Sequence, residues 1–339
     1  MQSSENSLLR EIPFSEIENV AVGHAQDLDN ATGCTVILCE NGAPAGLDVR
    51  GGGPASRETQ LLDPVADNNG IHGLLLSGGS AFGLDAAGGV MKYLEERNIG
   101  FDVGVGVVPI VCASCLFDLV IGSARIRPDA DMGYRACQDA ANKRSDSGCI
   151  GAGTGATVGK LRGPEYMMKS GLGCYAVRLG ELKVGAVAAV NALGDIYDLD
   201  TGKKLAGLLA PAKDGFLDSE TEFYRSYADM KNLFTGNTTI GAIVTNGKFN
   251  KIHMKKIASM AHNGYARTIR PVHTSVDGDS IYGLSTGDVT ASLDVTGTLA
   301  SLVMARAVNR AVLSATAMGG CPAARDFFIR QDIPLSAGE

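Results

Sequence analysis

Thr235-Gly236-Asn237-Thr238-Thr239-Ile240-Gly241-Ala242-Ile243-Val244-Thr245-Asn246 is a tight turn running into a strand. Gly236 and Asn237 tolerate the backbone angles of a sharp bend, and Asn can bond its own backbone there. Thr239 to Val244 is a β-branched, apolar run of strand length. Two hydroxyls, those of Thr238 and Thr239, therefore sit where turn becomes strand. An ordinary turn entering a buried strand accounts for this pattern. The same pattern also suits a chain that cuts itself, because a threonine so placed can attack the carbonyl before it. The new amino terminus would then lie beside its own hydroxyl, and an α-amine with a pKa of about 8 is a base within reach of that nucleophile.

Composition bounds the surroundings of this stretch. With 339 residues, 45% of them apolar, the chain can bury one large core or two. Its 44 glycines and 6% aromatic content point to a tightly packed α/β protein with close backbone contacts. Apolar runs stop short of the roughly 18 residues that a membrane helix needs. Met1-Gln2-Ser3-Ser4-Glu5-Asn6-Ser7 lacks the basic and apolar regions of a secretory signal, so a cytoplasmic location and no membrane contact are expected. A net charge of −7 argues against a nucleic-acid partner, which requires clustered Lys and Arg. Eight cysteines lie mostly in small or apolar surroundings, as buried free thiols do. Cys112-Ala113-Ser114-Cys115 is a single CxxC, and the five histidines form no HxxxH, so neither a metal nor another cofactor is expected.

In chain order, Gly33–Cys39 reads as a strand ended by Asn41-Gly42, and Asp48-Val49-Arg50-Gly51-Gly52-Gly53-Pro54 as a loop. His72–Leu76 is a short buried strand. From Ala81 the recurrence of Phe82, Ala86, Val90 and Leu94 predicts a helix, with Glu95-Glu96-Arg97 as its wet end. Phe101–Val108 is strand-like and stops at Pro109, and Lys183–Val190 is a buried strand closed by Asn191-Ala192-Leu193-Gly194-Asp195. Asp198–Phe234 is polar and irregular, as an exposed connector would be. Lys251–Tyr265 reads as a helix, Ser280–Leu284 as a strand, and Thr298–Thr316 as a long helix, apolar nearly all round and so covered on both sides.

Several local motifs fail on context. Gly151-Ala152-Gly153-Thr154-Gly155-Ala156 approximates a dinucleotide loop but follows no clear strand and opens no helix. Gly159-Lys160 echoes a phosphate loop, yet Thr154 stands in place of its first glycine. Ser77-Gly78-Gly79-Ser80 misses the nucleophile elbow, because Phe82 replaces the second glycine. His273 reads as structural rather than as a catalytic base.

Taken together, Val22-Gly23-His24, Asp48–Pro54, Leu76-Ser77-Gly78-Gly79-Ser80-Ala81-Phe82-Gly83-Leu84, Arg127-Pro128-Asp129-Ala130, Val190–Asp195, Gly236-Asn237-Thr238-Thr239, Arg270-Pro271-Val272-His273-Thr274 and Asp277-Gly278-Asp279 form a more specific pattern. Over nearly its whole length the chain resembles the P1 family of self-cleaving amidohydrolases. That family contains the L-aminopeptidase/D-esterase and the β-aminopeptidases, and the resemblance is strongest to its nylon-oligomer (6-aminohexanoate oligomer) hydrolases. The resemblance implies a four-layer α/β/β/α sandwich, layered as in amino-terminal nucleophile hydrolases but with its own strand connectivity, in one domain assembled as tetramers.

It also implies a cut between Asn237 and Thr238, leaving pieces 1–237 and 238–339 with Thr238 as amino-terminal nucleophile. Thr239 is the competing hydroxyl. Lys160 matches a lysine that holds the α-amine neutral and stabilises developing negative charge. Asn191 matches an asparagine whose amide donates to the oxyanion, a contact whose loss typically costs about 10²–10³ in rate. Asp277 and Asp279 match an acidic pair that orients nucleophile and lysine, and both would face one side of an extended segment. The aminopeptidases use serine as nucleophile, pair Ser with Glu where this chain has Asp277 and Asp279, and carry a tyrosine that Val108–Cys115 lacks. Cys112 and Cys115 are expected to pack in core or pocket there. The substrate expected from the resemblance is a small peptide-like or ω-amino-acid amide. An aminopeptidase that needs a free substrate amine, and an uncleaved binding protein, remain alternatives.

Overall fold

A computed structural model of the protein describes residues 8–142, 146–228 and 236–330. The expectations for Met1–Ser7 and for the connector beyond residue 228 fall outside those residues. Two mixed sheets lie face to face. The six-stranded sheet runs in the order Arg10–Ile12, Leu172–Leu179, Leu182–Ala189, Ile240–Gly247, Ser280–Val289 and Ala45–Val49. The five-stranded sheet runs Ala21–Asp27, Thr32–Ala43, Ile71–Ser77, Val111–Cys115 and Ala55–Arg57.

Alternation along the strands builds the layers. Ile240, Ala242 and Val244 point between the sheets with Val187, Ala189, Ile37, Leu74 and Tyr282. Ile243, Val184 and Ala186 point outward against helices α4 (Lys251–Thr268) and α5 (Leu293–Leu313). On the far side, Val36, Leu75 and Val111 meet α1 (Ala86–Glu95) and α2 (Ala130–Asp139). The expected α/β/β/α sandwich is therefore the observed one. Strands covered on both faces read as unbroken apolar runs, which is why the central ones were legible.

Differences from expectation have local causes. Phe101–Val108 is a two-stranded hairpin, Phe101–Asp102 against Val107–Val108, with Val105 98% exposed. The place in the sheet goes instead to Val111–Cys115, parallel to Ile71–Ser77. Asp48 and Val49 end a strand before the glycine loop begins. The helix expected from Ala81 opens as a 3-10 turn over Ser80–Asp85 and becomes α-helical at Ala86, leaving Phe82 exposed under the Arg127 guanidinium, 4.0 Å from the ring centre. Helix α5 starts five residues before expectation, where the Ser292 side chain caps the Val295 N–H. Its apolar circumference is covered within the chain, by Leu172–Leu179 and Leu182–Ala189 on one side and α4 on the other.

The stretch after Asp198 is not a loose connector. It contains a strand, Lys204–Ala206, and helix α3, Ser219–Arg225. Fully buried Asp195 ties it down by accepting from Leu208 N (2.8 Å), Ser219 N (2.9 Å), Ser219 Oγ (2.7 Å) and Lys204 Nζ (2.6 Å). Composition registers polarity but not this pairing.

The close approach of α5 to the sheet depends on Gly173, where an added Cβ would lie 1.9 Å from the Ala307 carbonyl oxygen. Gly173→Ala is expected to cost about 1–3 kcal/mol by overpacking. A lowered urea midpoint with an unchanged slope would show it.

Candidate active site

Three strand ends converge on the turn quoted first. Ile240–Gly247 and Ser280–Val289 are parallel with Ile240 opposite Ser280, so Thr238-Thr239 and Asp277-Gly278-Asp279 leave the sheet side by side. Leu182–Ala189 is antiparallel to the first of these with Ala189 opposite Ile240, which brings Asn191 to the same edge. Gly236 has φ +59°, the left-handed conformation its place in the turn required. From the second sheet, the end of Val111–Cys115 adds Phe117 and Asp118.

Thr238 is 4% exposed, and its backbone N–H donates to the Asn191 carbonyl (2.9 Å). Its Oγ1 contacts the carbonyl oxygen of Asn237, across the bond expected to break. A Cβ on Gly278 would lie 2.6 Å from that Oγ1, so only glycine fits behind the hydroxyl. Thr238 lines a cavity of about 160 Å³ with Asn237, Gly236, Gly53, Ala55, Ser80, Cys115, Phe117, Ser275 and Val276. Thr239 is fully buried and is not among the lining residues; its N–H donates to Asp279 Oδ1 (2.8 Å).

Lys160 reaches the turn from below. Its loop is held by Lys160 N donating to the Leu193 carbonyl (3.1 Å) and Gly159 N to that of Gly194 (3.1 Å). Its Nζ donates to Asn191 Oδ1 (2.6 Å), the Gly236 carbonyl (3.1 Å) and the Asn191 carbonyl (3.3 Å). Burial pushes the lysine down to about 7, against the attraction of Asp277 and then Asp118. The amine thus exchanges its proton near neutrality, as a general base or a switchable donor must. Burial, then the neighbouring Asp279 charge, raises Asp277 to about 6.

The expected residues are all brought together, with two adjustments. Asn191 Nδ2 donates to the Phe117 carbonyl (2.9 Å), while its Oδ1 also accepts from Thr157 N (3.1 Å), so the amide orientation is set by its surroundings. Asp277 and Asp279 do not lie along one extended segment. Asp277 closes a turn, accepting from Thr274 N (2.8 Å) and Oγ1 (2.6 Å), and the glycine loop clamps that turn through Gly53 N to the Asp277 carbonyl (2.8 Å) and Arg50 N to that of Asp279 (3.0 Å). His273 meets Asp279 directly.

Sequence reasoning missed Asp118. It is 2% exposed and accepts from Gly79 N (2.7 Å) and Thr32 Oγ1 (2.8 Å), and burial raises its pKa. Its only signal was an acid directly after an apolar strand. Ser80, at φ +54° on the cavity wall, was likewise unassigned, whereas Cys115 lines the cavity, within the expectation of core or pocket. Cys112 packs between the sheets, as expected. The glycine run at 151–156 presents carbonyls rather than amides: those of Gly153 (3.1 Å) and Ala156 (2.9 Å) accept from buried Lys169, the reverse of a phosphate cradle.

With this geometry in view, comparison with known proteins is consistent. The profile of Peptidase family S58 matches residues 14–325, and the chain belongs to that family. It is 38% identical to a Mycobacterium leprae protein named as an uncharacterized aminopeptidase, over 91% of this chain and 92% of the relative. It is 30% identical to a 6-aminohexanoate-oligomer endohydrolase of a Kocuria species, over 83% of this chain and 76% of the relative. The fold is shared with the L-aminopeptidase D-Ala-esterase/amidase of Ochrobactrum anthropi, described as a variant of the Ntn hydrolase fold. That structure superposes with TM-score 0.69 over 94% of each chain at 16% identity. A Burkholderia β-aminopeptidase superposes with TM-score 0.67 over 95% of this chain and 94% of its own, at 15% identity. The protein is a hydrolase of the peptidase and amidase kind.

The buried groups set a pH dependence with two signs. Between about 7 and 10.5 the unfolded chain holds the Lys160 proton and the folded chain does not, so stability rises with pH there, by at most about 1.4 kcal/mol per unit. Between about 4 and 6 the folded chain holds the extra proton on Asp277, so stability falls as pH rises. Lys160→Met is expected to flatten the upper rise, with buried Lys169, whose pKa desolvation also lowers, keeping part of it. Urea midpoints of both proteins from pH 7 to 9.5 check this, and parallel curves would refute the assignment.

Proposed function

We propose that this chain is a self-activating amide hydrolase whose nucleophile is Thr238. The observation that carries the reading is the Thr238 hydroxyl lying against the Asn237 carbonyl on the wall of a cavity, above a buried lysine titrating near 7. In the first reaction Thr238 Oγ attacks the Asn237 carbonyl carbon, and the neutral fraction of Lys160, whose Nζ bonds the Gly236 carbonyl of the same turn (3.1 Å), takes the proton. Collapse of the tetrahedral intermediate transfers the acyl group from N to O, and water hydrolyses the ester. This yields 1–237 and 238–339. The freed Thr238 nitrogen keeps its place beside the Asn191 carbonyl, and Lys160 nearby favours its neutral form. In turnover the same hydroxyl attacks a substrate amide with that amine as proton acceptor, and water releases the acyl group. Thr239 is a poorer candidate, since Thr238 lines the cavity and Thr239 does not.

Intact mass under denaturing conditions tests the first step. Two species are expected, the smaller beginning Thr238-Thr239-Ile240-Gly241. Thr238→Ala is expected to remain a single chain of 35.1 kDa, and Thr238→Ser to cut itself. A wild-type chain that stays whole on long incubation would refute the assignment.

The substrate we infer is a small peptide-like amide with a small, uncharged side chain on its acyl part, since the described residues lining the cavity are small or uncharged. The aminopeptidase names of two relatives at 38% identity support a reading of action at a free amino end ahead of nylon-oligomer cleavage. Alanyl anilide is therefore expected to be cut faster than its N-acetyl form. A preference for the blocked substrate, or for 6-aminohexanoate oligomers, would reverse that order.

A further inference from the structure

His273 stands outside the set of residues assigned to the reaction, yet its position is constrained more tightly than a surface turn requires. It follows Pro271-Val272, lies in the left-handed region at φ +60°, and gives both of its nearest donors to one atom. Its backbone N–H (3.0 Å) and its Nδ1 (2.9 Å) meet Asp279 Oδ2. The other oxygen of that carboxylate, Oδ1, holds the N–H of Thr239, the residue after the proposed nucleophile (2.8 Å). A carboxylate only accepts, so the hydrogen-bond network assigns the proton of His273 to Nδ1.

The surroundings keep the ring in that orientation. The His262 ring lies edge-on at 4.8 Å and the Tyr265 ring at 6.2 Å. His262 is fully buried, with Nε2 3.0 Å from the Asp48 carbonyl, so its proton is on Nε2 and it offers His273 no competing donor. Burial also pushes His262 down to about 4, which leaves it neutral beside the His273 ring. Among the described residues, His273 Nε2, His262 Nδ1 and Tyr265 Oη have no hydrogen-bond partner, so the one polar bond orienting the His273 ring there is the one to Asp279.

We propose that His273 is a positioning residue for the nucleophile. By locking Asp279 Oδ2 it aims Oδ1 at the Thr239 N–H, and so fixes the Thr238 peptide against the Asn237 carbonyl and, after cleavage, against the substrate. The proposal rests on the threonine reading above. Neighbouring Thr274 holds Asp277 in the same way, so one segment brackets both acids.

The test separates the side chain from the backbone. H273G relieves the left-handed conformation and removes the imidazole. H273N keeps a donor at the position of Nδ1 and tolerates the same φ. For H273G, self-cleavage and kcat on a small amide are expected to fall by about 10–100-fold with KM within about 3-fold, the scale of a nucleophile misplaced by an ångström. H273N is expected to restore both to within about 5-fold. Hydrogen exchange gives a readout that needs no activity: in T238A precursors, the Thr239 amide is expected to exchange faster with H273G and unchanged with H273N. H273G equal to wild type in rate and in exchange would overturn the proposal, as would H273N no better than H273G. If the wild-type chain neither cuts itself nor hydrolyses an amide, the threonine reading has failed, and the exchange comparison alone decides the role of His273.

Discussion

The parallel pairing of Ile240–Gly247 with Ser280–Val289 is the constraint on which the rest depends. Parallel neighbours begin at the same edge of a sheet, so the residues before each strand must meet. Here those residues are Thr238-Thr239 and Asp277-Gly278-Asp279. Parallel strands also require a long crossover, and α4 supplies it, packing on the outer face together with α5. The antiparallel strand Leu182–Ala189 ends at that same edge and delivers Asn191. A one-residue slip in either register would turn Ala242 and Val244 out of the inter-sheet core, so hydrophobic burial holds the site's geometry in place.

Within that frame the site is an electrostatic compromise. Withdrawing Lys160 from water lowers its pKa to about 7, on the order of 5 kcal/mol against the ammonium, and desolvation outweighs the attraction of Asp277 and Asp118. Without those carboxylates its pKa would fall further, and in water it would stay charged at neutral pH. Held between the two, it suits the proposed chemistry, which needs a base at one moment and a positive charge at the next. The three carbonyl and amide oxygens around its Nζ satisfy the hydrogens whichever form it takes.

Membership of a peptidase and amidase family leaves substrate choice to the cavity wall. Gly53 and Ala55 come from one side, Ser80, Cys115 and Phe117 from the second sheet, and Ser275 and Val276 from the acid-bearing turn. Cys115 and Phe117 make the second sheet's share of that wall uncharged.

The local pattern was enough to place the central strands, helices α1, α4 and α5, and the turn at Gly236-Asn237, because each is decided by periodicity or by a backbone angle that few residues adopt. It was enough, with the resemblance, to gather Lys160, Asn191, Thr238, Asp277 and Asp279 into one site. It misread Phe101–Val108, whose residues suit a strand but whose sheet position went to Val111–Cys115, and the stretch after Asp198, whose polar residues serve buried Asp195. Asp118 and the grip of His273 on Asp279 were invisible for the same reason. A side chain's partner is set by which segments the sheet order brings together, across 39 residues for Gly79 and Asp118. By itself the sequence determined where the central strands, three of the helices and the turn at Gly236-Asn237 lie. Only the tertiary structure decided the side chains' partners, protonation and exposure, because those depend on burial and on neighbours distant along the chain.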